Sequence, residues 1–273
     1  MRCPPILRRC PPVLAAWVPA LVLLVLVTPS TALAQHCHVG PDASAQPGFE
    51  LALRSEVARF RTARYEGDYQ GVFARAAWSN RDLSLTAALP HYHIVRNGLA
   101  SSGFGDLLLE GRGVLFRTDD QRARAGALVA FSAPTGDSTH DLGMGHWMLA
   151  GTVWASLTRE PFALEARAGY GRAFGGGAHH QHAPGTTPIV DPMNPSELEA
   201  ALSGVARAHR NLQTRIALLG AAPTAASAGA ARAALSFGGD VLLGPGRFSL
   251  EAQLPVLGDA FRGKLAAELG FRF

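Results

Sequence analysis

The residues best suited to chemistry sit in a few short stretches. His179-His180-Gln181-His182 places three imidazoles within four residues, and Met193 follows shortly after. His36-Cys37-His38 adds two imidazoles around a thiol. Neutral imidazole, thiolate and thioether are ligands for late transition metals, with Cu(I) the softest candidate. A short His-rich tract is itself a compositional sign of metal binding. The metal ligands expected from these spacings are therefore His179, His180, His182, Met193, His36, Cys37 and His38, with copper first and another transition metal second. His91 and His93, two residues apart, and His146 and Met148, likewise, would each share a face of a strand.

Catalysis is a poor fit. Ser101, Ser102, Ser132, Asp137, Ser138 and His140 supply hydroxyls, an acid and an imidazole. A triad is a geometry, and spacing alone gives none of these residues a catalytic role. Gly103-Phe104-Gly105-Asp106 is glycine-rich, but no helical pattern follows to hold a phosphate at a helix N-terminus. The chain is not expected to be an enzyme, and no cofactor is required.

The elements that must carry these residues are strands. In residues 265–273, Leu265, Ala267, Leu269, Phe271 and Phe273 share one parity, and Ala266, Glu268, Gly270 and Arg272 the other. Alternate side chains of a strand face opposite sides. One wholly apolar side and one small or charged side describe a membrane-barrel strand, greasy outside and polar in the lumen. An amphipathic edge strand of a soluble protein is the plainer alternative. A terminal Phe after such alternation resembles the signal that bacterial barrel-assembly machinery recognises, so that machinery is an expected partner, along with outer-membrane lipid.

The front of the chain agrees. Arg2, Arg8 and Arg9 precede an apolar run over 13–27, and Ala32-Leu33-Ala34 fits a cleavage site. Residues 1–34 are expected to be a signal peptide, 35–48 a periplasmic N-terminal segment and 49–273 the barrel. Cys3 and Cys10 would leave with the signal, so Cys37 has no intramolecular partner. The net charge is +4, carried almost entirely by scattered arginines. Scattered charge gives no nucleic-acid face, and no nucleic-acid partner is expected.

Twelve strand-like segments can be marked, for example 49–60, 83–89, 104–117, 162–170 and 247–254. Residues 197–208 form the eighth, although Ser196-Glu197-Leu198-Glu199 could cap a helix instead. Counting the first strand as rising, connections after even strands are short and rich in turn residues, such as Ser79-Asn80-Arg81 and Gly244-Pro245-Gly246. Connections after odd strands are mostly longer: 90–103, 134–145, 175–196 and 221–230. Such sorting by parity is expected of an outer-membrane barrel with periplasmic termini. The fold class is all-β, a transmembrane antiparallel barrel of about twelve strands. The same parity turns Arg54, Glu56, Glu110, Arg112, Glu165, Arg167, Glu251, Glu268 and Arg272 inward as lumen-lining residues. Glu199, Arg207, Arg215 and Arg232 follow suit. Both signs are interspersed, which suits either a salt-bridged, nearly closed interior or a narrow hydrophilic channel.

Two ordered motifs add a resemblance. Gly103-Phe104-Gly105-Asp106-Leu107 is followed by Phe131-Ser132-Ala133-Pro134-Thr135-Gly136-Asp137 and then Leu142-Gly143-Met144-Gly145. Together they resemble the outer-membrane barrels of the MetA-pathway of phenol degradation family, transporter-like proteins without agreed catalytic residues. The resemblance implies a channel for a small solute. The histidine tract and His36-Cys37-His38 lie outside the motif and would mark a metal-related member. A non-conducting metal-binding or structural surface protein is the alternative.

Overall fold

The computed structural model describes residues 47–61, 66–175, 196–224, 231–258 and 261–273. Thirteen strands run in order: β1 (Gly48–Arg61), β2 (Glu66–Ser79), β3 (Leu83–Arg96), β4 (Leu99–Phe104), β5 (Leu107–Arg117), β6 (Ala123–Ala133), β7 (Trp147–Arg159), β8 (Phe162–Phe174), β9 (Ser196–His209), β10 (Leu212–Pro223), β11 (Arg232–Leu243), β12 (Gly246–Leu257) and β13 (Phe261–Arg272). A short 3-10 turn, η1 (Ser138–His140), lies between β6 and β7. Each strand pairs antiparallel with its sequence neighbours, except that β4 and β5 both pair with β3, end to end. They are two halves of one wall strand broken at Gly105-Asp106, so the thirteen segments make twelve staves.

Closure comes from β1, which pairs with β2 on one side and β13 on the other. Leu51 lies opposite Phe271, and Arg54 opposite Glu268. The Phe273 N–H donates to the Phe49 carbonyl at 2.8 Å, so pairing holds to the last residue. A closed sheet leaves no edge to solvate, which allows strands to cross lipid.

The exterior is apolar. On β1, Phe49, Leu51, Leu53 and Val57 point out; beyond them Arg59 and Arg61 face Asp68 and Glu66 of β2 at 3.9 Å each. Residues 49–57 have the length a tilted strand needs to span hydrocarbon, about 9–11 residues. Outward aromatics gather at both ends of the staves. Phe49, Trp78, Phe162, Phe248 and Phe271 lie toward the short turns, and Phe104, Trp147, Tyr170 and Phe174 toward the loops. Leucine, valine and isoleucine fill the belt between, including Leu53, Leu85, Val153, Ile216 and Leu250. An apolar belt between two aromatic girdles has only lipid as a compatible solvent. The barrel spans a membrane and has the outer-membrane barrel fold.

One expectation is corrected. Residues 90–103 are not a long loop: β3 runs on to Arg96, turns at Asn97-Gly98 and returns as β4. Asn97 has φ 49° and Gly98 φ 82°, the left-handed pair of a two-residue hairpin. His91 and His93 therefore sit on a strand, where His91 meets the Phe104 ring edge-on at 5.3 Å between centroids. Pro90, which lacks an N–H, is tolerated because it faces the break between β4 and β5, where its carbonyl takes the Gly105 N–H at 2.9 Å. The strand reading of residues 197–208 holds over its helix-cap alternative: residues 196–199 open β9, with Glu197 and Glu199 turned inward and buried.

Candidate functional site: the charged lumen

Inward positions alternate with the belt, and below the loop-side mouth many of the inward side chains are charged or polar. Beside the seam, four strands bring two carboxylates between three guanidiniums. Glu50 accepts from Arg75 at 2.6 Å, Arg247 at 2.9 Å and Arg272 at 3.3 Å. Glu268 accepts from Arg75 at 2.9 Å and Arg247 at 2.5 Å. Asp240 lies 3.4 Å from Arg215 and 3.9 Å from Arg247.

Further along β1, Arg54 bridges two acids, with Nε on Glu56 at 2.7 Å and Nη2 on Glu251 at 3.2 Å. Glu56 is also met by the Tyr69 hydroxyl at 3.3 Å and Lys264 at 3.6 Å. Ser236 at 2.8 Å and Gln253 at 2.7 Å donate to Glu251. On the far wall Arg112 grips Glu165 with two bonds, 3.1 and 2.7 Å, and its Cζ lies over the Trp154 ring at 3.7 Å. Thr152 donates to Glu199 at 2.5 Å. Toward the loops, Arg232 reaches Glu197 at 3.3 Å.

These networks leave a cavity of ≈ 150 Å³ between them, lined by Arg54, Arg75, Glu165, Arg167, Arg215 and Glu251 among others. Pairing across neighbouring staves holds each long side chain against its wall. This arrangement reconciles the paired inward charges with a low-dielectric surround: they are stabilised by their partners and by the polar interior they share.

The loop-side mouth is narrowed by the chain itself. Leu142, from the connection between β6 and β7, is buried with the inward-facing Phe60, Tyr69, Phe73, Tyr92, Ile94 and Phe261. Met144 of the same connection packs on Met148. Asp106, in the strand break, holds this loop: Oδ1 accepts from the Gly136 N–H at 2.9 Å and Oδ2 from the Met144 N–H at 2.7 Å. The Thr135 hydroxyl donates to the Gly105 carbonyl at 3.0 Å and accepts from the Leu107 N–H at 2.9 Å. Arg96 and Asp141 are ion-paired at the rim. The glycines are needed for this approach. A Cβ on Gly143 would stand 2.4 Å from Asp106 Oδ1, and one on Gly136 2.6 Å from the Leu142 carbonyl. The two sequence motifs are thus two sides of one contact. Outside the membrane, Asp137 caps η1; the Thr139 hydroxyl and then His140 draw its carboxyl down to about 2.

Of the lumen residues read from parity, Arg54, Glu56, Glu251, Glu268 and Arg272 fall in the seam-side networks, and Glu110, Arg112, Glu165 and Arg167 on the opposite wall. Arg215 and Arg232 join Asp240 and Glu197, while Arg207 pairs with Glu160 at 2.9 Å in a turn. Parity reasoning missed Glu50, Arg75, Arg247, Asp240 and Lys264. Glu50 was available from the same alternation as Arg54; Arg75 lies on a strand whose alternation is weak in sequence. The metal candidates His179, His180, His182, Met193, His36, Cys37 and His38 all lie outside the described residues. Among the described residues, no group of three or more His, Cys, Asp or Glu side chains could hold a metal. His140 is engaged with Asp137 at 2.6 Å, and His146 is buried beneath the mouth.

No family model matches the sequence, and no curated protein matches it. Solved structures do. The chain is similar to the KdgM porin in complex with disordered oligogalacturonate, at 5% identity over 82% of this chain and 99% of that one, TM-score 0.54. It is also similar to the NanC porin, at 8% identity over 82% and 98%, TM-score 0.53. At such identities the likeness is one of fold, and both are barrels of the outer-membrane type.

Proposed function

We propose that this chain is a channel in the outer membrane of a Gram-negative bacterium, passing a small polar solute. The observation that carries this is the inner wall. Charges of both signs line a central cavity from β1 around to β13, held in place by mutual pairing instead of packing into an apolar core. A purely structural barrel of this size could fill its interior with apolar side chains at lower desolvation cost. The similar solved barrels include porins, and the motif resemblance to the MetA-pathway of phenol degradation family points the same way. Planar-bilayer recording on the purified barrel tests the reading. Discrete conductance steps are expected, and a barrel that is folded yet electrically silent would replace this reading with a binding or structural one.

Two narrower proposals rest on sequence. Copper, or another late transition metal, would bind His179, His180 and His182 with Met193, or His36-Cys37-His38. Imidazole ligates only when neutral, so binding should weaken below pH of about 6.5. Cu(I), Cu(II) and Zn(II) titrations with and without a triple His→Ala change separate the two stretches. Assembly through the terminal strand ending in Phe273 is the second; deleting Phe273 should slow membrane insertion while leaving the strands upstream unaltered in sequence.

A further inference from the structure

The cations that line the cavity are treated unequally. Arg54 is shared by Glu56 and Glu251, Arg75 by Glu50 and Glu268, and Arg247 by the same two acids. Lys264 faces Glu56, and Arg215 faces Asp240. Arg167 lines the same cavity on β8, yet among the described residues no carboxylate lies within ion-pair distance and no acceptor takes a hydrogen bond from its guanidinium. The acids whose fields it feels are Glu165, Glu110 and Glu199. Both oxygens of Glu165 are taken by Arg112, and Glu199 accepts from Thr152.

Neutral donors line the same cavity one row away. Ser156 and Ser203 lie opposite Glu165 on either side of β8, one inward step from Arg167, and Gln213 lies on the next stave round. All three line the cavity. None of the three side chains makes a hydrogen bond among the described residues. A guanidinium with no carboxylate at ion-pair distance is stabilised only by the longer-range fields of Glu165, Glu110 and Glu199, and an arriving anion would give it the direct partner its neighbours have.

We propose that Arg167 is the anion contact of the lumen, that Ser156 and Ser203 complete it, and that the solute is a small oxyanion, a carboxylate first. A planar guanidinium offers two parallel N–H donors to the two oxygens of a carboxylate, and the serine hydroxyls can occupy the remaining lone pairs. Phosphate shares this chemistry. The inference rests on the channel reading and names the class of solute that such a channel would take.

The test is ion selectivity in planar bilayers under a salt gradient, with acetate or inorganic phosphate replacing chloride in separate arms. The wild-type barrel should prefer anions. R167Q should lower the anion-to-cation permeability ratio by about tenfold, the effect expected of losing one strong charged contact, and R167E should invert it. R167K should keep the sign while losing the preference for acetate over chloride. Acetate outrunning phosphate assigns the carboxylate, and the reverse assigns phosphate. Cation preference in the wild type, or an unchanged ratio in R167Q with heat-modifiable mobility intact, overturns the proposal. A silent barrel defeats the channel reading instead. In that event Trp154, register partner of Arg167, reports directly: its fluorescence should respond to acetate or phosphate in wild type and not in R167Q, and equal responses, or none, overturn the site.

Discussion

Asp106 Oδ2 accepts the Met144 N–H at 2.7 Å, tying a break in one barrel stave to a loop 38 residues further on. With Gly136 on the other oxygen, this carboxylate is the clasp that keeps Leu142 folded into the mouth. Asp106→Ala would leave two loop N–H groups without their acceptor, at roughly 1–3 kcal/mol for each one that stays buried. Larger single-channel conductance and faster protease cleavage within residues 134–145 are expected. Unchanged conductance together with unchanged cleavage would show that the clasp does not set the mouth.

Gly143→Ala tests the same contact from the opposite side. The added Cβ would meet Asp106 Oδ1 at 2.4 Å, closer than real contacts allow. The loop must shift, so the phenotype should match that of Asp106→Ala, and the double variant should be no worse than either single one. Additive effects would mean the two residues act separately.

How much of this was legible beforehand divides along physical lines. Period-two alternation reports which way a side chain faces, and Arg54, Glu56 and Glu268 were readable for that reason. It does not report which staves adjoin. Arg75 meeting Glu268 is a consequence of closure, because β13 and β2 flank β1. The clasp was visible as two motifs but not as one contact, since sequence does not say that Asp106 and Gly136 touch. The hairpin at Asn97-Gly98 has a clear signal in the dipeptide itself, but Pro90 just before it is of a type rare inside strands and obscures the strand that carries it.

Acid should loosen the outer loop last of all at its cap. The carboxyl of Asp137 is drawn down to about 2 by Thr139 and His140. A carboxyl depressed in the folded state stabilises it above its ordinary value of about 3.9, and that contribution is lost as pH falls through about 2. NMR titration of the Asp137 carboxyl should give a midpoint well under the ordinary value, and a Thr139→Val change should raise it. A midpoint near the ordinary value in the native barrel would remove the cap from the account.

The pair on the far wall offers the strongest stability test. Arg112 and Glu165 are 8% and 15% exposed and joined by two bonds, so each side chain is largely withdrawn from water. Glu165→Ala removes the partner of a guanidinium that cannot shed its proton, a loss of about 3–5 kcal/mol when such a charge stays buried. The stacking of Arg112 on Trp154 persists, which limits the damage to the electrostatic part. A large drop in the heat-modification midpoint is therefore expected for Glu165→Ala, with much of it restored by Arg112→Met in the same chain. If the double variant is as unstable as the single one, the destabilisation comes from lost packing around residue 165. If the single variant is as stable as wild type, Arg112 has found water or Glu199 instead, and the lumen at this level is wider and wetter than its pairing suggests.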